Sequence, residues 1–283
     1  MDKEITIQIV LYEENIELIY KCLKNLKDFN IILIDNSQNK NLKKKIEKDF
    51  QIFKYILNKK NDGFSKGHNQ ASQYCKSEYM FILNADCFIK KEEILNLLSS
   101  IKKYKDCIII SPTTYDENSE FSYNGGLLPE NDGKLIPLNL EGDACVEAVL
   151  GSSMLIKKKD FIDLEMFDEN LFLFFSDFDL CRKVKNTKKS IIQSYNSKAF
   201  HEHGKSKVKN KLKKIFLREY NIAFDELYYF YKIKKNYIIF EKLKKKVPNY
   251  IVKFIISLFI LRIEKSIYFF SKVFAFYKFK KLL

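Results

Sequence analysis

The chain has 283 residues, 46% hydrophobic and 30% charged, enough for one large domain or one domain with an appendage. Its six cysteines (Cys22, Cys75, Cys87, Cys107, Cys145, Cys181) stand singly with no CxxC pair, which argues against a zinc site or a disulfide framework and fits a reducing compartment. The net charge of +14 excludes an acidic, self-solvating chain and points to a polyanionic partner: nucleic acid, anionic lipid or phosphorylated substrate.

The opening residues pass straight into a strand-like run without a secretory leader, and no stretch approaches the roughly 18 apolar residues of a membrane span. The expectation is a cytoplasmic protein with room to lie on a membrane. Ile5-Thr6-Ile7-Gln8-Ile9-Val10-Leu11 reads as a first strand, with Tyr12-Glu13-Glu14 as its outgoing loop. A helix is expected over 15–27, where Ile16, Ile19, Leu23 and Leu26 recur at helical spacing. A second strand over 30–34 ends in Asp35-Asn36-Ser37, and a helix over 42–50 and a strand over 52–57 follow. Strand alternating with helix signals a parallel, Rossmann-like sheet. Residues 61–71, NDGFSKGHNQA, put Gly63 and Gly67 in a polar loop before a helix through Tyr74. Such a loop lets backbone N–H groups approach an anion, though the spacing is neither GxGxxG nor a P-loop and a plain glycine turn fits too.

The densest signal is 79–88, YMFILNADCF. Five apolar residues make a strand buried on both faces, and Asn84-Ala85-Asp86 brings a carboxylate to its carboxyl end, where open α/β sheets bind ligands. A carboxylate there holds Mg²⁺ against substrate phosphate, or it caps the helix that follows. Beyond it are a helix over 92–104, a strand over 107–111 and an irregular or hairpin insertion over 112–141. Gly151-Ser152-Ser153 offers either close approach of a substrate to backbone or a tight turn.

Residues 167–183, FDENLFLFFSDFDLCRK, deliver Asp177 and Asp179 to the start of a helix over 178–185. Both acids suit a helix N-terminus, and Asp177 beside so much aromatic surface also suits a general base. Two short strands are expected at 188–194 and 197–200, followed by His201-Glu202-His203, a candidate pair for a cation or phosphate. From 208 onward the texture is helical and basic: a helix over 209–231, a lysine-dense stretch over 232–246, a break at Pro248, and bulky apolar residues mixed with Lys and Arg to the end. This region suits either an anionic membrane surface or docking on protein, including a homo-oligomer through these helices.

Together these stretches resemble family 2 glycosyltransferases, in particular the rhamnosyltransferase-like group. Ile34-Asp35-Asn36-Ser37, Asn61-Asp62-Gly63-Phe64…Gly67-His68-Asn69 and Leu83-Asn84-Ala85-Asp86 are similar to that group's V-D-N-S, N-x-G-F-x-x-G-x-N and L-N-P-D segments. Phe167-Asp168-Glu169, Ser176-Asp177-Phe178-Asp179-Leu180-Cys181 and His201-x-x-Gly204-x-Ser206 follow in the group's order. Ala85 stands for its proline and Ser176 for its glutamate.

The resemblance implies a GT-A fold over 1–206, with a Rossmann-like nucleotide-binding half and a mixed central sheet, and a helical basic appendage over 207–283. It implies inverting transfer of a sugar from a dTDP- or UDP-linked donor to a glycan or glycolipid, with Mg²⁺ or Mn²⁺ and without nucleic acid. The donor would meet Tyr12, Glu14, Asp35, Asn36, Gly63, Phe64, Gly67, Asn69, Asn84 and Asp86. The acceptor would meet Gly151, Ser152 and Asp179. Asp86 and His201 would serve the metal, and Asp177 would be the base. The expected location is the inner face of the plasma membrane. The rival class is a basic membrane- or nucleic-acid-binding adaptor on a degenerate transferase fold.

Overall fold

The computed structural model describes residues 2–116, 118, 121–122, 125–131, 141–202, 210–233 and 237–282. The chain forms two compact units, Met1–Asp168 with Ser176–Lys207, and Glu169–Phe175 with Val208–Leu283.

The first unit alternates as expected: β1 (Asp2–Leu11), α1 (Ile16–Lys24), β2 (Phe29–Asp35), α2 (Lys40–Asp49), β3 (Lys54–Leu57), α3 (Gly63–Tyr74) and β4 (Tyr79–Leu83). There follow β5 (Cys87–Ile89), α4 (Lys91–Lys103), β6 (Cys107–Tyr115), β7 (Phe121–Ser122), β8 (Gly125–Gly126), β9 (Ala144–Val146) and β10 (Ala148–Val149). The unit closes with β11 (Ser153–Lys157), α5 (Lys158–Asp163), α6 (Ser176–Lys185) and β12 (Ser190–His201). The main sheet runs β3-β2-β1-β4-β11-β6-β12-β5, with β7 beside β6 and β9 beside β12. Strands β3, β2, β1 and β4 are mutually parallel, whereas β11 runs antiparallel to β4 and β6, so the sheet is mixed.

Alternation along the strands builds a core on each face. Ile5, Ile7, Ile9, Leu11, Tyr79, Phe81 and Leu83 pack with Ile19 and Leu23 of α1 and with Ile94, Leu97 and Ile101 of α4. Met80, Ile82, Met154 and Ile156 pack on the opposite face with Ala71 of α3, Phe161 of α5 and Leu180 and Val184 of α6.

Four expectations change. Gly63–Gly67 is the first part of α3 and not a loop. A short strand, β5, separates Asp86 from α4, whose N-cap is Lys90, so Asp86 does not cap that helix. The two strands expected at 188–194 and 197–200 are one, β12, whose register against β6 slips between Ser194 and Lys198; the bulge interrupts the apolar alternation without ending the pairing. Pro248 lies inside a helix. The carbonyl of Lys244, which loses its amide partner there, belongs to an exposed residue, so the missing bond is not buried.

The second unit holds α7 (Lys211–Lys232), α8 (Tyr237–Phe259) and α9 (Ile263–Lys280). Phe216, Tyr220 and Phe224 of α7 meet Phe274 and Phe279 of α9, and buried Glu219 pairs with Lys272 at 3.0 Å. Asp225 of α7 accepts the amides of Phe172, Leu173 and Phe174 at 2.8–3.2 Å, binding Glu169–Phe175 to these helices. Burial pushes the Asp225 carboxyl up to about 6 against the pull of those three amides.

Candidate active site

The parallel register lays Leu11 beside Asp35 and Asp35 beside Leu57, so these strands finish at one edge of the sheet. Buried apolar runs bring polar residues to that edge because the chain leaves the core there.

Asp86 sits in the turn between β4 and β5, where the Cys87 amide donates to Asn84 O at 3.0 Å. Antiparallel pairing sets His201 opposite Cys87, and the imidazole Nε2 reaches Asp86 Oδ1 at 3.2 Å. An oxygen and an imidazole nitrogen this close together would suit two ligands of one Mg²⁺ or Mn²⁺. Among the described residues no group of three or more His, Cys, Asp or Glu stands together as a metal site. His203 lies outside the described residues.

Asp177 is in the first turn of α6. Its Oδ2 accepts the Gly151 amide at 2.8 Å and its Oδ1 the Phe178 amide at 2.9 Å. Burial raises its affinity for a proton, and the amides of Gly151 and Phe178 partly offset the rise. The preceding Ser176 is buried with its hydroxyl 2.6 Å from that of Ser65 on α3, which ties α6 to α3. The carbonyl of Ser152, the residue after Gly151, accepts the Asn84 amide at 2.9 Å. A continuous path therefore runs from Asp177 through Gly151 and Ser152 to Asn84, two residues from Asp86. Gly151 has no room for a side chain: a Cβ would stand 2.9 Å from the Phe64 ring.

Glu14 follows β1 and accepts the Tyr12 amide. Burial, augmented by the charges of Asp86 and Asp35, pushes its carboxyl up to about 8. Asp35 is fully buried; Tyr55 donates to its Oδ2 at 2.6 Å, and the Ser37 amide donates to Oδ1 at 2.7 Å. Tyr55 carried no signal in the sequence, since a tyrosine in a half-buried strand is ordinary.

Several motif residues brace the site from below. Asn36 donates to Gly63 O at 3.2 Å and accepts from Asn58 at 2.8 Å, joining β2 to the start of α3. Gly63 has φ 79°, a conformation glycine adopts without strain. At Gly67 a Cβ would lie 2.7 Å from a methyl of Val10, so glycine lets α3 approach β1.

Two of the residues expected to meet substrate are buried and bonded within the protein. Asn69, expected to meet the donor, is buried and both donates to Phe167 O (2.9 Å) and accepts the Phe167 amide (3.1 Å). Asp179, expected to meet the acceptor, is 2% exposed and faces Lys183 at 3.7 Å, whose ammonium also donates to Met166 O at 2.7 Å. Asn69 fixes Phe167, and Asp179 through Lys183 fixes Met166 beside it.

The sequence profile of Glycosyl transferase family 2 matches residues 6–160, more than half of the chain and the whole of this sheet edge up to β11. The chain belongs to glycosyltransferase family 2. It is therefore an enzyme that transfers sugar from a nucleotide-sugar donor. Rhamnosyltransferase WbbL of Escherichia coli (strain K12) is 25% identical over 201 residues, covering 62% of this chain and 75% of the relative. Among solved structures, GalNAc-T7 with UDP, GalNAc and Mn²⁺ aligns over 79% of this chain and 50% of its own, with TM-score 0.57 and 16% identity. The mannosyltransferase PcManGT of Pyrobaculum calidifontis in complex with GDP-Man and Mn²⁺ aligns over 82% and 64%, with TM-score 0.57 and 11% identity. The chain spans half to about two thirds of these two structures, and the likeness establishes the GT-A fold.

Proposed function

We propose that this family 2 glycosyltransferase inverts configuration at the transferred sugar, moving it from a dTDP- or UDP-linked donor to a hydroxyl of a surface glycan or glycolipid. Rhamnose is the sugar suggested by the name of the Escherichia coli relative. Residues 1–206 are read as the catalytic domain and 207–283 as a basic appendage that holds the enzyme on an anionic inner leaflet.

The observation that carries the reading is the backbone path linking the Asp86–His201 pair to the Asp177–Gly151 pair at one edge of the sheet. Inversion by direct displacement needs a base on one side of the anomeric carbon and charge neutralisation on the other. Asp177 is the base: burial makes its carboxylate more basic than usual, and the Gly151 amide orients it. It takes the acceptor proton as the acceptor oxygen forms its bond to the anomeric carbon and the bond to the diphosphate breaks. Asp86 and His201 would hold an Mg²⁺ or Mn²⁺, a choice that the neighbours solved with Mn²⁺ support. When bound, the cation neutralises charge developing on the leaving diphosphate. Burial shifts the Glu14 carboxyl toward its neutral form, which lessens its repulsion of that diphosphate.

The test is transfer and donor hydrolysis with Mn²⁺ or chelator. Asp177→Asn is expected to lower kcat by about 10²–10⁴-fold while Mn²⁺-dependent donor binding persists. Asp86→Ala is expected to lose that metal-dependent binding. Wild-type turnover by Asp177→Asn overturns the assignment of the base.

A further inference from the structure

The turn joining α8 to α9 is made of residues that folding alone does not favour. Arg262 N–H donates to Ser257 O at 2.9 Å and Leu261 N–H to Leu258 O at 3.0 Å, the paired bonds that close a helix end around one left-handed residue. That residue is Leu261, at φ 53°, where glycine is favoured and a leucine is strained. Its side chain returns no packing for the strain: Leu261 is 83% exposed and Phe259 86%. Ile255, Ile256, Ile260 and Ile263 around them are exposed as well. Monomeric soluble proteins rarely present so continuous an apolar surface.

The surroundings say what covers it. Between 241 and 283 the chain carries eleven Lys and Arg against two Glu. Lys244, Lys245, Lys246, Lys253, Arg262 and Lys265 are all exposed. A second copy docked face to face would bring the same positive charge against itself. An anionic lipid surface supplies apolar depth for the turn and phosphates for the bases. No described helix is long and apolar enough to cross a membrane, so insertion would stop at the interface.

We propose that the α8–α9 turn is a wedge that enters the headgroup region of an anionic leaflet, led by Phe259 and Leu261, with the flanking bases on lipid phosphates. This deepens the membrane-surface reading above and rests on it.

The chain has no tryptophan, so Phe259→Trp makes a single indole reporter at the tip. Full-length protein is mixed with vesicles of phosphatidylcholine, alone or with phosphatidylglycerol. The expected result is sedimentation with the anionic vesicles, weakened by salt, and a blue shift of the indole emission. Phe259→Ser with Leu261→Gly is expected to lower partitioning at least about tenfold while thermal stability holds, since glycine relieves the left-handed strain. Failure of wild-type protein to bind anionic vesicles overturns the membrane reading, and with it the wedge. Wild-type binding that the double variant retains, or a reporter that stays water-exposed on bound protein, overturns the wedge alone. A concentration-dependent dimer abolished by the double variant, without vesicle binding, assigns the surface to a second copy and overturns it too. Transfer to a soluble acceptor is expected unchanged, which separates this result from the fate of Asp86 and Asp177.

Discussion

Glu14, Asp35, Asp86 and Asp177 are four carboxyl groups in one unit, and their surroundings set them to different tasks. Asp35 is enclosed by Tyr55 and Ser37, Asp86 is shared with His201, and Asp177 is held on backbone amides. The Glu14 carboxyl is pushed up from its ordinary 4.5 to about 8, by burial and then by its acidic neighbours. An acid raised in the folded state holds its proton more tightly there than in the unfolded chain. That stability is complete below about pH 4.5 and is lost as pH rises toward 8, at no more than about 1.4 kcal/mol per pH unit for a single proton. Glu14→Gln is therefore expected to gain on the wild type between pH 5 and 8. Urea unfolding of both proteins at the two ends of that range checks it; parallel pH profiles would mean that Glu14 titrates normally.

At the scale of elements, α3 is the brace of the site. Its first residue is tied to Asn36, its Ser65 to Ser176, its Asn69 to Phe167, and its Gly67 rests on Val10 of β1. Adding one methyl at 67 puts a carbon 2.7 and 2.9 Å from the two methyls of a β-branched, stiff neighbour. Gly67→Ala is expected to cost about 1–3 kcal/mol by overpacking, and Val10→Ala in the same chain to recover much of it. Denaturation of the single and double variants gives the coupling; additive losses would show that α3 does not bear on Val10. The glycine pattern was visible in the sequence, but its packing cause was not. A glycine needed for close approach and one needed for anion contact look alike along a chain.

For the molecule as a whole, ligand linkage offers the broadest check. A nucleotide-sugar that binds the folded catalytic unit with Mn²⁺ is expected to raise its unfolding temperature, corresponding to about 2.7 kcal/mol at a hundredfold excess over Kd. A screen of dTDP-, UDP- and GDP-sugars identifies the donor, and no response from any of them would count against the donor reading. The charge is also a property of the whole chain, and it is concentrated where the exposed apolar turn lies.

The order of strands and helices, the buried β4 and the acids at strand ends were legible in the sequence. Each rests on local periodicity, which a window of ten residues contains. What a window cannot contain is the partner. Asp86 meets His201 only because β5 and β12 pair antiparallel in one register, and Asp177 meets Gly151 only because α6 packs on that face of the sheet. The same tertiary contacts turned Asn69 and Asp179 inward as braces, although their motifs resemble those of residues that meet substrate. The order of motifs along the chain pointed to the family and to the chemistry at hand. The register of distant strands decided which residues are placed to perform it.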